Sequence, residues 1–85
     1  MLQIGKHYYC STDSDVDLIM RLFEKNHFKW ASGRELRSQY QESPIIYKIE
    51  EPTRIRCERN PLQDNIDIAI NVINVRNKII SELRR

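Results

Sequence analysis

Glycine is nearly absent from this chain: Gly5 and Gly33 are the only two among 85 residues. So sparse a supply leaves no glycine-rich cradle for phosphate, and no P-loop, dinucleotide fingerprint or G-x-S-x-G elbow occurs. Cysteine is equally scarce. Neither Cys10 and Cys57 nor His7 and His27 fall at C-x-x-C, H-x-x-x-H or H-E-x-x-H spacing, so no metal centre and no cofactor is indicated. A lone pair of thiols without an apolar leader reads as two reduced core side chains in a cytoplasmic protein. Long apolar runs are missing too, and none nears the about 20 residues that span a bilayer, which argues against a membrane partner.

What is present fits one small domain covering 1–85. A chain of this length buries roughly 60% of its unfolded surface, a thin core that gains from association. Net charge is only +2, yet the signs are unevenly spread. Asp13, Asp15 and Asp17 cluster early, whereas Lys25, Lys29, Arg34, Arg37, Lys48, Arg54, Arg56 and Arg59 occupy the middle. The middle is a candidate cationic face for an anion. Plain solvation competes with that reading, because Glu35, Glu42, Glu50, Glu51 and Glu58 are interspersed among the bases.

Leu2, Ile4, Tyr8 and Cys10 share one side of an extended segment, with Gln3, His7 and Tyr9 on the other, the period-two pattern of a half-buried strand. Ser11-Thr12-Asp13-Ser14 then offers N-cap chemistry, and the spacing predicts a helix to about Asn26 whose Val16, Ile19, Met20 and Phe23 form one apolar face. Phe28-Lys29-Trp30-Ala31-Ser32-Gly33 follows as a short strand and turn. Arg34 to Ser43 reads as a long polar loop with a helical turn at Glu35-Leu36. Ile45, Tyr47 and Ile49 then share a strand face, and Glu51-Pro52-Thr53 turns into Arg54–Glu58, with Ile55 and Cys57 inward and Lys48, Arg54, Arg56 and Glu58 outward.

Asn60-Pro61-Leu62-Gln63 resembles a helix start, with Asn as cap and Pro at the first helical position. A strand competes downstream, since Ile66 to Val72 alternates strictly and is rich in β-branched residues. We favour a long helix over 60–85. Projected as a helix, Ile68, Val72, Val75 and Ile79 form one stripe, while Leu62, Ile66, Ala69, Ile73 and Ile80 form another. One small sheet cannot cover both, so the 68–79 stripe is a candidate homodimer interface, against the alternative that a monomer encloses the whole helix. The expected fold class is α+β: a small antiparallel sheet in β-α-β-β-β order along the chain over 1–59, one packed helix, and the long C-terminal helix.

Asp13, Asp15, Asp17 and Glu24 match positions of a calcium-loop template, but Leu18 stands where the loop needs glycine, so helix capping is the better account of these acids. His7, His27 and a lysine invite comparison with a histidine ribonuclease, yet nothing in the sequence places them together, and the chain reads as a non-enzyme. Trp30, flanked by Lys29 and Arg34, and Tyr40 are candidates for stacking on an unpaired base. The competing reading sends Phe28 and Trp30 into the core.

The segment Phe28-Lys29-Trp30-x-Ser32-Gly33, between a helix and a hairpin carrying Ile49 and Ile55, resembles small accessory proteins of tailed, T-even-like phages. That resemblance covers roughly residues 1 to 58. It implies an early protein acting on host machinery in the host cytoplasm, with a host defence protein, such as a toxin endoribonuclease, or RNA as partner. The expectation is a non-catalytic RNA binder in which Lys29, Arg34, Arg37, Lys48, Arg54, Arg56 and Arg59 contact phosphate. The alternative is an inhibitor that occludes a host enzyme by protein contact alone.

Overall fold

The computed structural model describes residues 1–85. Strand β1, His7–Cys10, alternates half-buried and buried side chains, and Tyr8 and Cys10 are the inward pair. Gly5, at φ 92°, turns the preceding residues away, which leaves Ile4 exposed rather than on the strand face. Helix α1, Asp13–Lys25, starts where Thr12 Oγ1 accepts the Asp15 N–H at 3.2 Å, with Asp13 and Asp15 at the positive end of the helix dipole. It buries Val16, Ile19, Met20, Leu22 and Phe23, and Asn26 closes it by donating from Nδ2 to the Leu22 carbonyl at 2.8 Å.

Strand β2 is Lys29–Trp30, a short 3-10 turn follows at Leu36–Ser38, and β3, Ile45–Glu51, and β4, Arg54–Arg59, form the expected hairpin. The sheet order is β2-β4-β3-β1, with a fifth strand beyond β1. Ile45, Tyr47, Ile49 and Ile55 face α1, where Phe23 packs edge-on against Tyr47, ring centroids 6.0 Å apart.

The α+β class holds, as does the β-α-β-β-β beginning, and two details differ. First, the sheet is mixed: β3 is antiparallel to β1 and β4, but β2 runs parallel to β4. The crossover through α1 returns the chain in its original direction, which a hairpin would reverse. Second, residues 60–85 are not one long helix. They form α2 at Gln63–Ile68, strand β5 at Ile70–Asn71 parallel to β1, a 3-10 turn at Val72–Asn74, and α3 at Arg76–Leu83. The β-branched alternation wins over two residues: Ala69 goes extended, Ile70 and Asn71 pair with Tyr8 and Tyr9, and the Asn71 side chain accepts the Ile73 N–H at 3.2 Å. Asn60 sits at φ 47° as a turn residue, and α2 begins after Leu62 instead.

The two crossovers step in opposite directions along the sheet, β1 to β2 one way and β4 to β5 the other. Right-handed connections therefore put α1 and α2 on opposite faces. Side-chain bonds agree: Glu58, which alternates with the core-facing Cys57, accepts from Asn65 Nδ2 at 2.9 Å and from the Leu62 N–H at 3.4 Å. Helix α3 packs beside α1 and is tied to it at both ends. Arg76 Nε meets the buried Asp15 Oδ1 at 2.6 Å, while Lys25 Nζ donates to the carbonyls of Glu82 and Arg85, cancelling part of the negative end of α3. No helix is long and apolar enough to cross a membrane.

The hairpin turn generates a test. Thr53 adopts φ 57°, a left-handed conformation that a β-branched side chain resists. Thr53→Gly should raise stability by about 0.5–1 kcal/mol, relief of the strain outweighing the entropy of glycine. A urea midpoint at or below that of the parent chain would contradict this account.

Candidate functional site

The seven cations expected to meet phosphate divide into two groups. Four are paired with carboxylates inside the fold. Lys29 Nζ lies 3.2 Å from Glu35 Oε1, and Lys48 Nζ 2.9 Å from Glu58 Oε1. Arg56 Nε lies 3.1 Å from Glu50 Oε2, and Arg37 Nη2 reaches both Glu24 Oε1 at 3.0 Å and Asp17 Oδ1 at 3.3 Å. Arg34, Arg54 and Arg59 have no carboxylate partner; Arg54 donates to the Thr53 carbonyl and Arg59 to the Tyr40 carbonyl, each at 3.2 Å.

These residues do not converge on one patch. Lys48 and Arg56 are cross-strand neighbours on the outer face, the face on which Glu58 binds α2. Arg37 belongs to the 3-10 turn and binds α1, on the other side of the sheet. A phosphate arriving at any of the four paired cations would have to displace a carboxylate or sit beside it, so the cationic face read from the sequence is largely cancelled in place.

The stacking candidates separate in the same way. Trp30 is 5% exposed, its indole N–H donates to the Leu36 carbonyl at 3.1 Å, and its ring packs by Tyr47. That closes it to a base: a donor satisfied inside the core and a face covered by another ring leave nothing to stack on. Tyr40, at 73% exposure, remains open at a cavity of about 440 Å³ that also includes Arg37, Asp13 and Asp17. Two carboxylates in that cavity disfavour a polyanion beside the ring.

The expected dimer stripe is also dispersed. Val72 and Ile79 are fully buried in the monomer's own core, Val75 packs against its edge, and only Ile68 stands outside. The helical projection fails because 68–79 passes through helix, strand, 3-10 turn and helix, so equal angular steps no longer describe which side a residue faces. In place of the stripe, Leu62 and Ile68, each more than 70% exposed, lie on the segment that leads from β4 to β5, and the partly exposed Ile73 follows in the 3-10 turn just past β5. Their apolar character was visible in the sequence; what hid their exposure was the assumption of one continuous helix.

The two histidines do not come together. His7 lies on β1 and His27 just before β2, and β3 and β4 stand between those two strands, so the histidines are separated by about three strand spacings, roughly 14 Å. The acids of the calcium-loop pattern are committed elsewhere: Asp13 accepts the Ser43 N–H and Oγ at 2.8 Å each, Asp15 binds Arg76, and Asp17 binds Arg21 and Arg37. Burial, reinforced by the charge of Asp15, pushes the Cys10 thiol up, so it stays protonated and inert.

The hold of the outer face on α2 carries a pH dependence. Hydrogen bonds from Asn65, then the contact with Lys48, keep the Glu58 carboxyl below its ordinary value of 4.5. A carboxylate depressed in the folded state adds stability that is complete above that ordinary value and is lost as pH falls through the lower folded one. Glu58→Gln should therefore lose stability at neutral pH and show a flatter decline on acidification, read as urea midpoints between about pH 6 and pH 3. Parallel acid limbs for the two proteins would show that Glu58 does not hold α2.

Compared with known proteins, the chain matches no family model, no curated protein and no solved structure.

Proposed function

We propose that this protein is a non-catalytic binding module whose partner is another protein, engaged through the arm that carries Leu62, Ile68 and Ile73. The observation behind this reading is a contrast: the mid-chain cations are mostly neutralised by carboxylates of the same fold, while three aliphatic side chains remain in water along one segment. Exposed aliphatic groups gathered on one segment mark interaction surfaces more often than isolated ones do. The resemblance of Phe28–Gly33 to phage accessory proteins gives the proposal a setting, an inhibitor that occludes a host enzyme of a defence system. A second copy of this chain is the competing occupant of the arm, reached through Ile68.

RNA binding is retained as a second reading because Arg34, Arg54 and Arg59 carry no carboxylate partner. Contact with single-stranded phosphate through these three would give a log K against log salt slope of about −2.

Immobilised protein and nuclease-treated host lysate separate the readings. A protein partner should stay bound after nuclease and fall at least about tenfold with Leu62→Asp plus Ile68→Asp, whereas Arg34→Ala, Arg54→Ala and Arg59→Ala together should leave it. Loss of the partner on nuclease treatment, with RNA retention that drops steeply in salt and needs the three arginines, overturns the protein reading. A light-scattering mass of twice 10.2 kDa that returns to the single value in the Leu62→Asp, Ile68→Asp protein assigns the arm to a second copy instead.

A further inference from the structure

At the β5 edge of the sheet, a cleft of about 190 Å³ is lined by Met1, Tyr8, Ile70 and Val75 and flanked by Lys6 and Lys78. Tyr8 is buried, with its hydroxyl donating to the Met1 carbonyl, so the ring is a fixed wall and not a swinging side chain. Ile70 and Val75 are half-buried and pack on the core, which gives the cleft an apolar floor. Both lysines are exposed, and neither appears in any ion pair, in contrast to Lys29 and Lys48.

We propose that this cleft receives the C-terminal residue of a partner polypeptide, an apolar side chain on the floor and its α-carboxylate between Lys6 and Lys78. The inference rests on the protein-partner reading and specifies the chemistry of that partner. Volume excludes a drug-sized ligand, since such pockets begin near 300 Å³, and leaves room for about one side chain. Charge complementarity selects an anion, and the floor demands an apolar body attached directly beside it. An aspartate or glutamate side chain has no such body. A chain terminus does, because the last residue carries its side chain and its carboxylate on the same Cα. Capture of a terminal carboxylate is a recurring mode of peptide recognition, and here two ammonium groups supply the anchor. Ile70 stands two residues after Ile68 in the chain, which brings the cleft into the same sequence segment as the arm.

The probe is N-acetyl-L-leucine, followed by amide chemical shifts of the whole protein, with N-acetyl-L-leucinamide and isovalerate as companions. Saturable shifts are expected at Lys6, Tyr8, Ile70, Val75 and Lys78, weaker by about tenfold or more for the uncharged amide. Lys6→Gln plus Lys78→Gln, both at exposed positions, should reduce the affinity for N-acetyl-L-leucine about tenfold while leaving the spectrum of the free protein otherwise in place. No saturable shift, shifts mapping elsewhere, or equal binding of the amide would each overturn the assignment. Isovalerate binding as tightly as N-acetyl-L-leucine would overturn it as well, assigning the cleft to a free carboxylate. These failures leave the pull-down with Leu62→Asp plus Ile68→Asp untouched, so the fate of the cleft and the fate of the protein-partner reading are read separately.

Discussion

Two consecutive isoleucines on the central strand set the terms for the whole molecule. Ile45 and Ile46 are both fully buried, and consecutive residues on a strand point to opposite faces, so β3 needs a cover on each side. Helix α1 and helix α3 enclose the Ile45 side together with the rest of the main core. Ile46 lies apart from that core, on the face where it pairs with Glu58 across the ladder. The crossover from β4 through α2 to β5 supplies the second cover, fastened by Glu58 to Asn65 and the Leu62 N–H. Without that strap, an aliphatic side chain of the central strand would face water.

The exposed aliphatic surface follows from the same constraint. A crossover that must reach from β4 past β3 and β1 has few residues with which to be both helix and strand. Helix α2 has only six residues and buries none of them fully. So short a helix has one face on the sheet and the rest in solvent, and the aliphatics at its two ends, Leu62 and Ile68, have no second layer to enter. The arm is apolar and exposed because the strap is thin. Glu58, meanwhile, is drawn into fastening α2 and neutralises Lys48 in passing, which removes a central member of the cationic face. One carboxylate thus holds the cover in place and silences the anion site that the same strand pair would otherwise present.

Much of the first 59 residues was legible in the sequence because local signals and tertiary placement agree there. Thr12 caps as its chemistry predicts, α1 buries the stripe that its period announces, and Ile45, Tyr47, Ile49, Ile55 and Cys57 alternate inward. The C-terminal third was harder because its signals conflict. Asn60 and Pro61 suggest a helix, Ile66 to Val72 alternates like a strand, and the fold uses both in turn, which no single period describes. Pairing with Tyr8 and Tyr9, 62 residues upstream, decides the matter at Ile70 and Asn71, and such a partner is invisible to local pattern. The candidate site suffered a related loss. Charges can be counted in a sequence, but whether Lys29 meets Glu35 or a ligand depends on side-chain geometry that counting does not contain.

The distribution of paired and unpaired cations gives the surface its direction. Lys29, Arg37, Lys48 and Arg56 spend their charge on Glu35, Glu24, Asp17, Glu58 and Glu50, joining loop to strand, turn to helix and strand to strand. Exposed pairs of this kind contribute little stability each, so their larger effect is on the field around the molecule: they flatten it over the hairpin and the loop. What positive potential remains is set by cations the fold does not use, and Lys6 and Lys78 place part of it beside the apolar floor at the β5 edge. Over the hairpin and the loop a ligand meets charge largely answered already, apart from Arg34, Arg54 and Arg59, which have no carboxylate partner. At the β5 edge the two requirements of an amphipathic anion, unpaired cations and an apolar floor, fall around one cleft.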